Sequence, residues 1–456
     1  MGLPALRVVI GPSILTFVSS ALHLRASMSA SNTPRVVVTG MGINTRLGDD
    51  LDTYFDNLIA GRSGITSWTF FEHDGVYSKV GGDLSDYDRV AKVDGLQGVI
   101  PEEVHVRLRK IMRTAPFSTG LSVLCAIDAW LDAGLEFDTN PWDRAIVVGG
   151  HNLNEHYMLR NFAAFQEEPD WIDPLSALLN LDTDHAASVG EVLGCRGALY
   201  TVGGACASAN VALRAGLDEI RHHGHDVAVV GGSALEFSPM GLQAMVLIEA
   251  ITYQSFNDEP ERASRPYDVG REGFVPSHGV GFLVLEREDH ARARGAHIYA
   301  EVLGCVATSD GSHLPTPSRE GQGETMRRLL RQTGLDPSDV QFICAHATST
   351  PQGDVSEIGA IRDAFGSHAE HLKINAPKSM LGHTCWAAPA TETVAAILQM
   401  VKGRLHPSVN VDELDPEVDL DVCAEGPVDL EVDVFIKNSF GFGGINCCSA
   451  FRRHDG

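Results

Sequence analysis

The run Gly203-Gly204-Ala205-Cys206-Ala207-Ser208-Ala209 (residues 203–209) is the stretch around which this sequence is organised. It follows LYTV (199–202), which predicts a buried strand, and leads into ANVALRAGLDEIRHHG (209–224), whose apolar residues recur at helical spacing. Cys206 therefore lies at a strand-to-helix turn. Unpaired backbone N–H groups and a helix dipole favour a thiolate there, so we predict a nucleophile with a lowered pKa. The alternative is an inert core cysteine.

Three further motifs lie in the second half of the chain: CAHATSTPQGD (344–354), KSMLGHTCWAAPATE (378–392) and NSFGFGGIN (438–446). The first places His346 directly after a strand-like run. The second places Lys378 and His383 five residues apart before a predicted helix. Taken alone, each histidine is a common structural residue and the glycine-rich run is a common tight turn.

Together with Cys206, and in this order, the motifs resemble those of the β-ketoacyl-acyl carrier protein synthases, condensing enzymes of the thiolase superfamily. The resemblance extends from about Val36 to Phe451 and includes RPYDVGREGFV (265–275) and GAHIYAEVLGCVATSDG (295–311). It implies an acyltransferase that joins an acyl thioester to malonyl-acyl carrier protein by decarboxylative Claisen condensation. The pathway implied is polyketide or fatty acid biosynthesis.

The fold implied by the resemblance is an α/β, thiolase-like, five-layered αβαβα arrangement of two pseudo-symmetric halves. We expect an N-terminal half over 34–285 that carries Cys206, and a C-terminal half over 286–456 that carries both histidines. Independently of the resemblance, apolar strand-like segments alternate with helical periods along the chain. That alternation favours a parallel-rich sheet covered by helices.

The resemblance also assigns roles to the motif residues. Cys206 would hold the acyl group as a thioester, while His346 and His383 would bind the enolate oxygen formed when malonyl loses CO₂. Lys378, paired with Glu392, would order the site without reacting, because an unperturbed lysine is protonated near pH 7.

The backbone N–H groups of Cys206 and Phe442 would bind the tetrahedral oxyanion. Phe442 stands between two glycines, so its ring would act as a gate for the acyl chain. The resemblance implies no metal and no organic cofactor, since the phosphopantetheine arm belongs to the carrier protein.

A basic cluster in VHVRLRKIMR (104–113) suggests where a carrier protein docks. The net charge of the chain is -25, which speaks against nucleic acid as a partner but requires a local positive field to attract an acidic carrier. We expect Arg109, Lys110 and Arg113 to supply that field, the alternative being an ordinary solvated face. The resemblance also implies a homodimer.

Composition fits a large intracellular α/β protein. The 456 residues are 44% hydrophobic and include 46 glycines. The nine cysteines form an odd set without a CxxC pair, so neither a disulfide framework nor a zinc site is indicated, and a reducing, cytoplasmic setting is expected.

The first 33 residues form a leader that lies outside the resemblance. VVIGPSILTFVSSALHL (8–24) could be a short signal-peptide core, but it contains a proline and is too short to span a bilayer comfortably. We favour a translation start at Met28 over Met1, because an exported enzyme could not meet a cytosolic carrier.

Departures from the family pattern leave the acyl specificity open. The sequence has GGACA where relatives have TACA or SACA, and it differs from them at 347–350, 387–389 and 277–281. These changes suggest a specialised stand-alone synthase. The alternatives are a malonyl-carrier decarboxylase of a β-branching cassette, a non-catalytic chain-length partner, which would usually lack the cysteine, and a degradative thiolase, which would carry a second catalytic cysteine near the glycine-rich turn.

Overall fold

The computed structural model describes residues 33–72 and 74–454. The leader predicted over 1–33 therefore lies outside the described residues, apart from Thr33. Within the described ranges, no helix is both long and apolar enough to cross a bilayer.

The described residues form fourteen strands. They are β1 (Val36–Thr45), β2 (Thr66–Ser67), β3 (Val80–Gly81), β4 (Arg144–Gly149), β5 (Leu199–Val202), β6 (Val227–Gly232), β7 (Gly279–Arg287), β8 (Ala300–Ser309), β9 (Phe342–Cys344), β10 (Lys373–Asn375), β11 (Arg404–Leu405), β12 (Val428–Asp429), β13 (Val434–Gly441) and β14 (Ile445–Arg453).

Helices alternate with these strands along the chain. They are α1 (Leu51–Ile59), α2 (Arg89–Gly95), α3 (Glu102–Met112), α4 (Phe117–Asp132), α5 (Glu155–Glu167), α6 (Ser176–Leu179), α7 (Asp184–Leu193), α8 (Ser208–His222), α9 (Pro239–Leu247), α10 (Glu288–Ala293), α11 (Arg319–Thr333), α12 (Pro351–Phe365), α13 (Lys378–Leu381) and α14 (Ala388–Lys402).

Ten strands form one sheet in the order β10-β9-β13-β14-β8-β1-β7-β6-β4-β5. The sheet divides into two sets of five strands with the same plan. In the first set β1 pairs antiparallel with β7, and β6, β4 and β5 follow outward from β7, parallel to one another. In the second set β8 pairs antiparallel with β14, and β13, β9 and β10 follow outward in the same way. Only a two-residue pairing, Val37 with Glu301 and Val38 with Ala300, joins β1 to β8. The two halves are therefore pseudo-symmetric.

The helices complete five layers around the two sets of strands. α8 and α14 pack against each other and contact strands of both sets, so they form the central layer. α4 and α7 cover the outer face of the first set, and α11 and α12 cover that of the second. This is the thiolase-like α/β architecture that the resemblance implies. The expectation of a parallel-rich sheet is wrong, because five of the nine strand pairings in the ten-stranded sheet are antiparallel.

Glycines in β1 set the distance between that strand and α4. β1 continues through Gly40 and Gly42 to Thr45. A Cβ atom on Gly42 would clash with the backbone carbonyl of Cys125 in α4, and one on Gly40 would clash with that of Ala129. The glycines therefore allow close packing of the strand on the helix.

Strand β5 is also less enclosed than the sequence suggested. LYTV was expected to be a buried strand, but β5 is the edge of the sheet and its four residues are half-buried. It nevertheless leads directly into the turn that carries Cys206 and then into α8.

The packing of β1 on α4 can be tested with Gly42→Val. Because the new side chain would meet the Cys125 carbonyl, we expect the free energy of unfolding to fall by about 1–3 kcal/mol. Urea denaturation measures this. Gly95→Ala in α2, where a Cβ meets nothing within 4 Å, is the control and should be neutral or stabilising by up to about 1 kcal/mol. Equal midpoints for the parent and Gly42→Val would contradict the assignment.

Candidate active site

Cys206 lies in a tight turn between β5 and α8. The turn spans Ala205–Ala207, and Ala205 has a φ of +46°, a left-handed conformation that is unusual for a residue other than glycine. Ser208 holds the turn: its hydroxyl accepts from the Gly204 N–H at 2.9 Å and donates to the Ala205 carbonyl at 2.7 Å. Cys206 is 6% exposed and lines a cavity of about 350 Å³.

The glycine-rich turn near the C-terminus approaches this cysteine through Gly441. A Cβ there would lie 2.5 Å from the Gly204 carbonyl oxygen, so only glycine lets the end of β13 come this close. The backbone N–H groups of Phe442 and of Cys206 itself point to the Cys206 thiol. Two backbone donors therefore converge on the sulfur, so they lie next to the place where an acyl group on that sulfur would put its carbonyl oxygen.

The expectation that Cys206 has a lowered pKa is wrong. Burial raises the pKa of the Cys206 thiol to about 11, although the positive charge of Lys378 and the two backbone N–H groups oppose the rise. The free-energy cost of removing a thiolate from water exceeds the stabilisation that these interactions give it. The thiol is therefore protonated at neutral pH, and the turn moderates the effect of burial without reversing it.

His346 follows β9 and is fixed by a carboxylate from α12. Glu357 accepts the backbone N–H of His346 at 2.9 Å and that of Ala347 at 2.8 Å. The same carboxylate accepts from the Asn438 side chain at 2.9 Å. Since Asn438 belongs to β13, one buried carboxylate aligns the histidine loop with the strand that leads to Phe442.

His383 is held by backbone contacts on both sides. Its own N–H donates to the Val275 carbonyl at 2.7 Å, and its ring Nδ1 accepts the Cys385 N–H at 3.2 Å. Because Nδ1 is an acceptor, the ring proton is on Nε2. That Nε2 is buried and has no partner among the described residues, so it is available to an oxygen in the cavity.

The two histidine rings form an adjacent pair of neutral donors. Their centroids are 5.4 Å apart and their planes cross at 83°. Burial lowers the pKa of His346 and of His383 well below the ordinary value, and the positive charge of Lys378 adds to this. The Lys378 ammonium lies 3.5 Å from the His346 Nδ1, which leaves the proton of that ring on Nε2 as well. Each ring therefore has an Nε2–H donor, and both histidines line the cavity.

Lys378 and Glu392 form the ion pair that the sequence predicted, at 2.5 Å. A third member, Lys437, was not predicted from the sequence; its ammonium lies 2.7 Å from the other carboxylate oxygen of Glu392. Burial lowers the pKa of Lys378. For Lys437 burial also acts to lower the pKa, but the combined attraction of Glu392 and other nearby acidic groups raises it. The only available signal for Lys437 was a lysine inside the apolar run VFIKNSF of β13.

Aromatic side chains enclose the reacting groups. Phe274 lies 5.0 Å from the His383 ring and 6.5 Å from the Phe442 ring, and Phe440 lies 5.7 Å from the His346 ring, between centroids. Phe442 itself is 40% exposed, at the surface of the cavity. Phe274 and Phe440 belong to motifs that the sequence analysis quoted, but it gave neither a role.

The structure does not bring the basic cluster into this cavity. Arg109, Lys110 and Arg113 are exposed on and just after α3, and none of them lines the cavity. Lys110 approaches Glu191 at 3.6 Å, whereas Arg109 and Arg113 make no ion pair within the described ranges. Among the described residues no group of three or more His, Cys, Asp or Glu could hold a metal ion.

Comparison with known proteins places this geometry in a family. The sequence model of the β-ketoacyl synthase N-terminal domain matches residues 33–291, and that of the β-ketoacyl synthase C-terminal domain matches 299–412. The chain is 34% identical to the chloroplastic 3-oxoacyl-[acyl-carrier-protein] synthase I of Arabidopsis thaliana over 446 residues, which cover 96% of this chain and 90% of the relative. It is 30% identical to 3-oxoacyl-[acyl-carrier-protein] synthase 2 of Staphylococcus aureus (strain COL), covering 93% of this chain and all of the relative.

A solved structure shares the fold over the same length. It is the type II polyketide ketosynthase AntDE in complex with the acyl carrier protein AntF. Its matched chain superposes with a TM-score of 0.81 at 27% sequence identity, and the match covers 93% of this chain and 100% of that chain. The matches extend over nearly the whole chain and include both sets of strands. This chain belongs to the β-ketoacyl synthase family and is an acyltransferase-type condensing enzyme of fatty acid or polyketide synthesis.

Proposed function

We propose that the chain takes an acyl group onto Cys206 and condenses it with malonyl carried by an acyl carrier protein. The observation that supports this best is the convergence of Cys206, His346 and His383 on one cavity. The carrier is proposed from the names of the relatives and from the AntDE complex, which contains a carrier protein. We propose that the reaction needs neither a metal ion nor an organic cofactor.

In the loading step, the Cys206 sulfur attacks the carbonyl carbon of the acyl thioester. The carbonyl oxygen becomes an oxyanion and accepts from the backbone N–H groups of Cys206 and Phe442. The carbon–sulfur bond to the carrier arm then breaks, and that arm leaves as a thiol with the proton released by Cys206. Because Cys206 begins as a thiol, proton loss accompanies this attack.

In the condensation step, malonyl loses CO₂ and leaves an enolate. Its oxygen accepts from the Nε2–H groups of His346 and His383, which are neutral and face the cavity. The enolate carbon attacks the thioester on Cys206, and the carbon–sulfur bond to Cys206 breaks. A 3-ketoacyl carrier thioester is released, and the Cys206 thiolate that leaves takes a proton from solvent. Lys378 and Glu392 position the two rings and do not touch the reacting atoms.

Decarboxylation without condensation is the second candidate function. It is favoured by the raised pKa of Cys206, because malonyl can lose CO₂ against the two imidazoles without any thiolate. A non-catalytic chain-length partner is less consistent with a cysteine that two backbone donors face.

We extend the proposal to a homodimer in the cytoplasm, with the two halves divided at 285/286. Four large apolar side chains on α5 and α6 are each at least 47% exposed, which supports a covered face: Met158, Phe162, Phe165 and Leu178. For docking of the carrier we propose the face of Arg109, Lys110 and Arg113.

Mutations should separate acyl loading from the decarboxylation of malonyl carrier protein. Cys206→Ala should abolish acyl loading, seen as loss of the acyl mass shift, and should retain CO₂ release from malonyl carrier protein. His383→Ala should lower CO₂ release by at least about 100-fold and retain loading, since only the enolate needs the imidazole. A Cys206→Ala protein that still forms 3-ketoacyl product would overturn the proposed nucleophile. Parent-rate CO₂ release by His383→Ala would overturn the role of His383.

The pH dependence of alkylation tests the raised pKa of Cys206. With a pKa of about 11, only about one thiol in ten thousand is ionised at pH 7, so the rate with iodoacetamide should rise about tenfold per pH unit from pH 7 to 10. Lys378→Met removes a positive charge that lowers this pKa, so labelling should slow. Peptide mass spectrometry reads Cys206, and labelling of buried Cys125 in the same digest reports unfolding. A plateau below pH 8 would refute the raised pKa.

The docking face is tested by the double variant Arg109→Glu with Arg113→Glu. Exposed charges each contribute about 0.2–1 kcal/mol, so KM for carrier-bound substrates should rise several-fold at low salt, and pantetheine thioesters should be unaffected. The difference in KM between the double variant and the parent should become smaller as the salt concentration increases. Arg328→Glu with Arg331→Glu on α11 makes the same charge change elsewhere and is the control. Equal KM increases in the two double variants would exclude α3 as the docking face.

A further inference from the structure

The turn that follows His383 packs directly against the turn that carries Cys206. It spans Cys385–Ala387 and contacts the Ala205–Ala207 turn. A Cβ on Gly232 would lie 2.5 Å from the Ala387 Cα, so this turn is seated on the end of β6. Its central residue, Trp386, therefore has a fixed backbone beside the nucleophile.

The indole of Trp386 stacks on the imidazole of His151. The ring centroids are 4.5 Å apart, the planes differ by 24°, and the indole N–H donates to the His151 carbonyl at 3.0 Å. On its other side, the His151 Nδ1 lies 3.6 Å from the place of a Cβ on Gly203, at the start of the Cys206 motif. The stack thus connects the end of β4 with the turn after His383.

Apolar packing holds the stack in place. Trp386 packs against a buried cluster that includes Leu235, Phe237, Phe274 and Cys385. Interiors of this kind are close-packed, so the indole cannot move aside without repacking several side chains. Burial also lowers the pKa of His151, which keeps its ring neutral at physiological pH.

The cavity at Cys206 opens away from the stack. From Cys206, His346 and His383 it continues between the loops at 310–317 and 348–353. Neither His151 nor Trp386 lines it. The sulfur therefore has open space on the side of these loops, and the turn that carries Trp386 contacts the Cys206 turn on a side that the cavity does not reach.

We propose that the His151–Trp386 stack limits the group held on Cys206 to a short acyl chain such as acetyl. That an acyl group is held there rests on the proposed function, whereas the stack and the contact between the two turns are properties of the fold. A long acyl chain would need the volume that the two rings occupy. Trp386 and His151 are thus specificity-determining residues, and they take no part in the chemistry.

Methanethiosulfonates measure the space beside the sulfur without requiring enzyme activity. The Cys206 thiolate attacks the reagent, a mixed disulfide forms, and methanesulfinate leaves. At pH 9, the methyl reagent should label Cys206 at least about tenfold faster than the octyl reagent, as read on the Cys206 peptide. Trp386→Ala and His151→Ala should each bring the two rates closer together. Trp386→Phe keeps a stacking ring and should behave as the parent does.

Acyl loading provides the second readout. Acetyl-pantetheine should load the parent and octanoyl-pantetheine should not, whereas Trp386→Ala should accept both. Trp142→Ala, at an exposed tryptophan, is the control, and thermal melting checks the fold of each variant. Equal methyl and octyl labelling of the parent, or an unchanged ratio in both alanine variants, overturns the proposed size limit. Size-selective labelling without any acyl loading would support the size limit set by the His151–Trp386 stack and would contradict the proposed function.

Discussion

The structure of the site depends on one buried carboxylate, Glu392, which binds two ammonium groups. Lys378 comes from the short helix before His383, Lys437 comes from β13, and Glu392 lies on α14, so the pair of contacts joins three elements of the C-terminal half. The Lys378 ammonium also donates to the His346 carbonyl at 2.6 Å. Three buried charges are tolerated only because they are paired at short range.

The network has one more positive than negative charge, and that excess acts on every reacting group. A positive charge lowers the pKa of a thiol and of an imidazole alike. For Cys206 this favours the thiolate, which is the nucleophile; for His346 and His383 it favours the neutral ring, which can donate to an enolate. A single electrostatic source therefore favours the useful form of both residue types, although burial outweighs it at the thiol.

Sequence patterns predicted which residues the structure brings together better than they predicted the surroundings of those residues. Cys206, His346 and His383 stand in short motifs, and the 14-residue interval from Lys378 to Glu392 lies within one motif, so local sequence was sufficient. Lys437 was missed because its partner is distant in sequence and a lysine in a strand gives no periodic signal. The sign of the Cys206 pKa shift was wrong because desolvation depends on packing by the whole fold, which the turn sequence does not contain.

The pseudo-symmetry of the halves explains why the turn that carries Trp386 contacts the turn that carries the nucleophile. Each half places a short turn before a central helix of fifteen residues, α8 or α14, and each turn begins with a left-handed residue, Ala205 at φ +46° and Cys385 at φ +50°. The central helices pack against each other, which brings their leading turns together. One turn carries Cys206 and the other carries Trp386. Substitution in the second turn can therefore change the space beside the sulfur without altering the backbone that presents the nucleophile.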